Sequence, residues 1–371
     1  MSEYCVELEP IEDYFLGNER SFGFGRNNKV IYNNYFVISE NLPTQTTLLG
    51  MMRYFVLKRM NLLNKNFSNQ GLTAQQIEKQ KEFIGRSSFM MSYKDELDYG
   101  VIKKVSPMFL KNETNQILVK TPFNGSFDSN EVELRGLKKN TAKIKIMDGS
   151  SERNFKLIDE IDLKNEDDYR DSYVLLDDLK IIKNSKKNSK IFRSHVRVGI
   201  NRSLDEDGFF KKEYKFFKDY KLCFYVMLDD TNLNFNSEIT DVVYLGAEKS
   251  AFKLTMYQED NKLEDKIKEA LKIDDVYYYA LSDLACKDAN KLNECCDLIL
   301  SETRNFRCLK TNYDKDNFYH KLEQSELYNF IRAGSVFFVN EEKKNDFKQL
   351  FENKNLEKIG FNQIIKIGGD K

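Results

Sequence analysis

The residues in this sequence best suited to proton transfer near neutral pH are its only two histidines, His195 and His320. His195 stands between Arg193 and Arg197, and a histidine beside bound phosphates can serve as the base of a metal-independent ribonuclease. Nothing near it in the sequence resembles a catalytic set. We therefore predict a structural or surface histidine, and a chain that is not an enzyme.

Motifs for other chemistry are missing from the sequence. It contains no H-E-x-x-H, no G-x-S-x-G and no phosphate-binding G-x-x-x-x-G-K-[ST]. The adjacent carboxylates Asp177-Asp178 and Asp229-Asp230 would point to opposite faces of a strand and could not jointly bind a metal ion without a bulge. None of the six cysteines belongs to a C-x-x-C pair, so no zinc site is predicted. We expect no metal and no cofactor.

Charge is distributed unevenly along the chain. The net formal charge is −1, but residues 183–221 contain 12 basic and 5 acidic residues, whereas residues 223–304 contain 9 basic and 17 acidic ones. This asymmetry predicts a basic surface for nucleic acid next to an acidic surface for a protein partner. The other interpretation is two solvated faces.

The basic region also has the pattern of strands, predicted over residues 191–200 and 209–217. Arginines four positions apart, Arg193 and Arg197, share a face of the first strand, while the direction of Arg202 stays open. Such a sheet can hold phosphates and stack an unpaired base. The predicted contacts from these strands are the three arginines together with Phe209, Phe210, Lys211, Lys212 and Tyr214.

A helix is predicted within residues 42–63, with Thr46 or Thr47 as its N-cap. Its apolar positions recur at steps of three and four, and Arg53 lies at one edge of that stripe. No acidic residue occurs between Glu40 and Glu78, so the positive end of the helix is suited to a phosphate. The alternative is an ordinary core helix with solvated lysines.

The 371 residues and 41% hydrophobic content suggest about two folded domains. The polar segment 183–190, KNSKKNSK, is the predicted boundary, giving domains 1–182 and 183–371. Short strands alternating with helices and hairpins indicate an α+β fold. Helices are predicted over residues 73–83, 263–271, 292–300 and 341–351. Without a leader or a long apolar run, the chain is expected to be cytoplasmic, with no membrane contact.

Several segments together resemble one RAMP-superfamily family, the third subunits of the Cmr effector of type III-B CRISPR systems. The similarity lies in six segments: 5–12 (CVELEPIE), 20–22 (RSF), 42–53 (LPTQTTLLGMMR), 197–200 with 208–210 (RVGI and GFF), 333–338 (AGSVFF) and 360–369 (GFNQIIKIGG). The family's arginine–acid pair is replaced around Phe15–Asn18, and residues 136–171 match no part of its pattern.

The resemblance implies two ferredoxin-like (RRM-related) domains with peripheral insertions. It also implies a non-catalytic subunit that holds the 5′ handle of the CRISPR guide RNA in antiviral defence. Its implied protein partners are the large polymerase-like subunit and the backbone RAMP subunits. We predict that guide RNA also reaches Arg20, the C-terminal glycines Gly368 and Gly369, and the first predicted helix. The predicted contacts on that helix are Thr46, Thr47 and Arg53.

Two other hypotheses remain open from the sequence. One is a RAMP endoribonuclease that processes precursor guide RNA, with His195 as the base. The other is a protein-only scaffold whose basic surface binds nothing.

Overall fold

The computed structural model describes residues 1–17, 36–63, 73–91, 95–128, 131–134, 140–145, 152–157, 172–182, 184–185, 188–189, 191–201, 208–231, 233, 235, 237–246, 248–314 and 319–369. Antiparallel sheets dominate this part of the chain, with helices packed beside them. The predicted α+β class is confirmed.

The strands, in chain order, are β1 Ser2–Pro10, β2 Phe36–Val37, β3 Ile102–Val105, β4 Phe109–Asn112, β5 Ile117–Lys120, β6 Gly125–Asp128, β7 Glu131–Leu134, β8 Asn140–Lys145, β9 Glu152–Leu157, β10 Tyr173–Leu175, β11 Ile181–Ile182, β12 Asn184–Ser185, β13 Asn188–Ser189, β14 Arg193–Asn201, β15 Gly208–Phe216, β16 Tyr220–Leu228, β17 Glu238–Leu245, β18 Ser250–Gln258, β19 Tyr277–Ala280, β20 Cys296–Leu300, β21 Thr303–Phe306, β22 Leu309–Asp314, β23 Tyr319–Gln324, β24 Tyr328–Ile331, β25 Val336–Val339 and β26 Ile364–Ile367. The α-helices are α1 Gln45–Arg59, α2 Ala74–Ile84, α3 Leu263–Ala270, α4 Ala289–Cys295, α5 Lys344–Phe351 and α6 Lys354–Lys358, and a 3-10 turn, Glu341–Lys343, precedes α5.

The central sheet has β1 in its middle, paired antiparallel with β16 on one side and β18 on the other. β3 pairs with β16, so the order β18–β1–β16–β3 is that of a ferredoxin-like unit with α1 after its first strand. In the second crossover of this unit, strand β17 pairs with β18. The described residues of that crossover, between β16 and β18, form no helix.

A second sheet shows the ferredoxin-like order in full. Its elements follow along the chain as β19, α4, β20, β25, α5 and β26, and the strand order is β26–β19–β25–β20 with antiparallel neighbours. One face of this sheet packs on α4 and α5, and the other packs against the central sheet. The two sheets therefore form inner layers between α1 and the helices α4 and α5.

The predicted boundary between residues 182 and 183 does not separate these two units. β16, β17 and β18 follow residue 182 in the chain but lie in the same sheet as β1. β14 and β15 are inserted before β16 and form a small sheet of their own with β2. The division of the chain into two domains stays a prediction, and the bounds predicted for them do not match the sheets.

Helix α1 is buried over a wider face than its sequence pattern predicted. Its buried residues are Gln45, Leu48, Leu49, Met51, Met52, Phe55, Val56 and Leu57.

The bounds predicted for two other helices need correction. The helix predicted over 292–300 ends at Cys295, because residues 296–300 pair with β25 as a strand. That predicted over 341–351 begins with the 3-10 turn.

A buried polar network lies on the face of the central sheet that meets the second sheet. The carboxylate of Glu7 accepts hydrogen bonds from Lys111 (3.2 Å), Tyr257 (2.7 Å) and Lys221 (2.7 Å). Lys111 also donates to the hydroxyl oxygen of Tyr257 at 2.9 Å. Only 5% of the Glu7 side chain and 7% of the Lys111 side chain are exposed, so the two charges compensate each other away from water.

Candidate nucleic-acid interface

The small sheet formed by β14, β15 and β2 carries the predicted basic residues. Its register places Arg193 opposite Phe216, His195 opposite Tyr214 and Arg197 opposite Lys212. Paired residues share a face of an antiparallel sheet, so these six side chains lie on one face. We call it the arginine face. Arg193, His195 and Arg197 are all exposed on it.

The loop after β1 supplies a carboxylate to this face. Asp13 Oδ2 lies 2.9 Å from His195 Nδ1 and accepts a hydrogen bond from Arg197 Nη2 at 2.8 Å. Burial alone would raise the pKa of Asp13, but hydrogen bonds from His195 and Arg197 and their charges lower it overall. Sequence reasoning missed Asp13, because no local pattern connects residues 182 positions apart.

The ring of Tyr214 is in contact with two neighbouring side chains, those of Arg197 and Phe15. The guanidinium carbon of Arg197 lies 4.5 Å from the centre of the Tyr214 ring, and the ring of Phe15 meets it edge-on at 6.0 Å. Arg197 still has 53% of its side chain exposed. A guanidinium plane can stack on a base in RNA, so the Arg197–Tyr214 pair offers a stacking surface together with a charge.

Lys212 differs from the predicted phosphate contact. Its side chain turns inward, with the ammonium 3.7 Å from the centre of the Phe15 ring and in an ion pair with Glu248. Burial lowers the pKa of Lys212. Lys211, its neighbour in β15, is exposed on the opposite face of the sheet. The two lysines therefore cannot bind the same stretch of RNA backbone.

The start of α1 has a cap different from the predicted one. Thr44 is the N-cap, and its hydroxyl accepts a hydrogen bond from the amide of Thr47 at 3.3 Å. The hydroxyls of Thr46 and Thr47 lie 2.9 and 3.0 Å from that of Thr44. Both threonines predicted as caps therefore lie in the first turn of the helix, where their hydroxyl groups are within hydrogen-bond distance of the Thr44 hydroxyl.

Tyr14 connects the small sheet to the start of α1. Its backbone pairs with that of Lys215 in β15, and its hydroxyl donates a hydrogen bond to the carbonyl oxygen of Asn41 at 2.6 Å. Asn41 lies three residues before the N-cap of α1. The loop that contacts Arg197 through Asp13 thus also holds the segment that leads into α1.

Arg53 lies inside the fold rather than at a binding surface. It donates to the carbonyl oxygen of Ser87 at 2.6 Å, and its guanidinium carbon lies 5.1 Å from the centre of the Tyr99 ring. Burial lowers the pKa of Arg53. These contacts join α1 to the segment after α2, and the RNA contact of Arg53 stays a prediction.

The C-terminal glycines meet protein backbone. Both have a positive φ, +81° for Gly368 and +86° for Gly369. A Cβ atom on Gly368 would lie 2.3 Å from the carbonyl oxygen of Asp275, and one on Gly369 would lie 2.6 Å from a methyl group of Val276. The chain needs glycine here to pass close to the segment before β19, a reason that does not involve RNA.

Four other predicted contacts have no described side chain. Arg20 and Arg202 lie outside the described residues. Phe209 and Phe210 lie in β15, opposite Ile200 and Gly199, but only their backbone is described. Their contacts with RNA stay predictions.

Two arginines that the sequence analysis did not select lie at a cavity between the two sheets. The cavity has a volume of about 120 Å³, and its lining includes Gln45 at the start of α1 together with Arg304 and Arg332. Arg304 pairs with Asp283 at 2.8 Å, and Arg332 pairs with Glu302 at 3.0 Å. Since each guanidinium already has a carboxylate partner, the cavity adds little net positive charge to the start of α1.

The described residues offer neither a metal site nor a membrane-spanning helix. No group of three or more His, Cys, Asp or Glu side chains in this part of the chain could hold a metal ion. No helix in it is long and apolar enough to cross a membrane.

Comparisons with known proteins give only distant similarity. No family model matches the chain, and no curated protein matches it. It is similar to a chain of the cryo-EM structure of the Type III-B Cmr-beta bound to cognate target RNA and AMPPnP, state 1, with 14% identity, a TM-score of 0.46, and coverage of 97% of this chain and 95% of that one. A chain of Type III-B Cmr-beta bound to cognate target RNA gives 10% identity and a TM-score of 0.27, over 69% of this chain and 97% of that one. At these values, the function has to be argued from the residues themselves.

Proposed function

We propose that this chain is a non-catalytic RNA-binding subunit of a type III CRISPR ribonucleoprotein in the cytoplasm. It holds the 5′ handle of the guide RNA in antiviral defence and assembles with the large polymerase-like subunit and the backbone RAMP subunits. The subunit assignment comes from the sequence resemblance to the third subunits of the Cmr effector. The part that rests on geometry is the RNA contact.

The observation that carries the RNA contact is the arginine face of β14 and β15. Arg193 and Arg197 are exposed at alternate positions of that face, separated by His195, so the two guanidinium groups can engage two phosphates of one RNA segment. Arginine gives bidentate, charge-assisted hydrogen bonds to phosphate oxygens. Arg197 over Tyr214 adds a flat surface for an unpaired base.

The site is nearly balanced in charge before RNA arrives. Asp13 offsets one of the two guanidinium charges, and Lys212 is engaged by Glu248. RNA phosphate must therefore compete with Asp13 for Arg197, whereas Arg193 has no carboxylate partner among the described residues. This arrangement favours a site that binds one ordered segment of RNA over a general polyanion surface.

The test is an affinity measurement with Arg193→Gln and Arg197→Gln combined. Glutamine keeps most of the side-chain length and avoids placing a second acid beside Asp13. Fluorescence anisotropy with guide RNA should show a loss of affinity, and the slope of log K against log salt should fall by about 1.4, at roughly 0.7 per lost phosphate contact with a single strand.

The matched control is Arg59→Gln, which removes an exposed arginine at the end of α1. It should leave both the affinity and the salt slope unchanged. Guide RNA without its 5′ handle should bind more weakly to the native chain than intact guide RNA. A folded double variant that keeps the native affinity and salt slope would contradict the proposal and favour the protein-only scaffold.

One observation favours a second candidate function, an endoribonuclease that processes precursor guide RNA. Asp13 bonds to Nδ1 of His195, which leaves Nε2 as the nitrogen that can take a proton. An acid that orients a histidine in this way recurs in sites of general-base catalysis. In this alternative, Arg197 would hold the phosphate next to the bond being cut.

A further inference from the structure

The outer edge of β14 has no strand partner in the described part of the chain. The small sheet has the order β14–β15–β2, which leaves β14 as an edge strand of nine residues, Arg193–Asn201. Its register with β15 runs through all nine positions without a shift, and it contains no proline. A long, regular edge of this kind presents a row of backbone N–H and C=O groups to which another strand can add.

On the face of the small sheet opposite the arginine face, strand β14 exposes two valines, whereas their cross-strand partners in β15 are the charged residues Glu213 and Lys211. Val196 is 46% exposed and Val198 is 64% exposed on β14. Val198 pairs with Lys211, which in turn pairs with Phe36 of β2, and Phe36 is 47% exposed. The two exposed valines lie on the edge strand itself, where they are suited to packing against the side chains of an added strand.

Charge identifies the kind of strand that fits. β14 carries Arg193 and Arg197 and no acidic residue. Two copies of β14 side by side would therefore bring like charges together across the new pairing, which is unfavourable. A strand that alternates apolar and acidic residues is complementary on both faces, since its apolar residues meet Val196 and Val198 while its acids meet the arginines.

We propose that the edge of β14 is a docking site for an extended segment of a protein partner in which apolar and acidic residues alternate. The segment adds to the small sheet as a fourth strand, so that main-chain hydrogen bonds supply affinity and side chains on the two faces supply specificity. This inference does not depend on RNA binding. RNA phosphates and an acidic strand would compete for Arg193, but only a strand uses Val196 and Val198.

The test uses the full chain and a defined probe, a fluorescein-labelled, end-blocked peptide of nine residues in which valine alternates with glutamate. Anisotropy should show saturable binding, and hydrogen exchange should slow in the amides of β14. Val196→Asn combined with Val198→Asn leaves the charge unchanged and should weaken binding by about tenfold, because two apolar cross-strand pairs are lost. Leu327→Asn, which changes another exposed apolar residue, just before β24, should have no effect.

Further controls separate strand addition from other occupants. The same peptide with all of its backbone amides N-methylated should not bind, because strand pairing needs those N–H donors on whichever edge meets β14. Equal binding of the methylated peptide, unchanged β14 exchange, or full binding to the double asparagine variant would each overturn the proposal. So would a dimer of the native chain that the double asparagine variant abolishes, which would make a second copy the occupant. The proposal would also be wrong if guide RNA slowed hydrogen exchange in β14 and bound more weakly to the variant changed at Val196 and Val198. That result would assign the edge of β14 to RNA.

Discussion

Asp13 Oδ2 lies 2.8 Å from Nη2 of Arg197, so the loop after β1 holds an arginine of a strand 184 residues away in the sequence. The pair is only partly buried, with 53% of the arginine side chain and 23% of the aspartate side chain exposed. An exposed pair of this kind adds little to stability. Its effect is to orient Arg197 and to reduce the positive charge of the arginine face.

Replacement of Asp13 by Asn should strengthen RNA binding. The change removes the carboxylate that competes with phosphate for Arg197. It therefore makes the net formal charge of the arginine face more positive by one. We expect an affinity gain of about twofold to fivefold at low salt, in the range of an exposed ion pair, which shrinks as salt screens the site. The measurement is anisotropy with guide RNA across a salt series.

Glu78→Gln is the control for Asp13→Asn. It removes an exposed carboxylate on α2 that pairs with Lys81 and Arg86, away from the small sheet. If the two variants change RNA affinity equally, the gain reflects net charge alone. The arginine face would then have no special part in binding.

A cleavage assay distinguishes the binding subunit from the endoribonuclease. The purified chain should leave repeat RNA intact with and without divalent metal. The alternative predicts cleavage without metal that is lost in His195→Ala and reduced in Asp13→Asn. The fall should be in the rate constant of cleavage rather than in RNA affinity. Cleavage of this kind would reverse the proposal, because Asp13 and His195 would then be an acid–base pair acting on RNA.

Elements with a strong local signal could be predicted from the sequence. The capping box Thr73–Gln76 marks the start of α2, and the short apolar run Ile364–Ile367 forms β26. The strand period also places Arg193 and Arg197 on one face. Where several residues carry the same signal, the prediction is less exact, and Thr44 rather than Thr46 or Thr47 caps α1.

Features set by tertiary contacts could not be predicted. Residues 296–300 look helical by spacing but form the edge strand β20, because hydrogen bonds to β25 outweigh local propensity. The inward direction of Lys212 depends on Phe15, and the role of Asp13 depends on a strand far along the chain. Sequence gives the alternation along a strand, but not which face other parts of the chain cover.

The buried pair of Glu7 and Lys111 should matter for stability. Lys111→Met leaves the buried Glu7 carboxylate with Lys221 and Tyr257 as its remaining donors, and should cost about 1–3 kcal/mol, which is typical when a buried polar group loses a hydrogen-bond partner. The comparison is Lys253→Met, which breaks a pair in the same sheet whose members, Lys253 and Glu9, are exposed by 51% and 37%. That change should cost less than about 1 kcal/mol. Urea unfolding measures both, and equal losses would argue against a structural role for the buried network.

The same network predicts a dependence of stability on acid. Burial alone would raise the pKa of Glu7, but hydrogen bonds from Lys221 and Tyr257 and the nearby lysine charges lower it overall. A lowered pKa in the folded state stabilises the fold above the unfolded value of about 4.3, and that contribution is lost as pH falls through the folded pKa. Glu7→Gln should therefore be less stable than the native chain at pH 7, and the difference should shrink below about pH 4. A difference that stays constant down to pH 3 would contradict this assignment.

Gly368 gives the sharpest separation between a structural role and an RNA-binding role. Its φ of +81°, and the 2.3 Å that would separate an alanine Cβ atom from the Asp275 carbonyl oxygen, leave no room for a side chain. Gly368→Ala should therefore destabilise the chain by at least about 1–3 kcal/mol, the usual cost of such backbone strain, with the clash added. The RNA affinity of the folded fraction should be unchanged.

Gly50→Ala is the matched control, since Gly50 is an exposed position of α1 with open space around it. Alanine there should stabilise the helix by about 0.5–1 kcal/mol. Thermal unfolding and RNA anisotropy on both variants decide the matter. If Gly368→Ala keeps full stability but loses guide RNA, the terminus contacts RNA and the structural explanation is wrong.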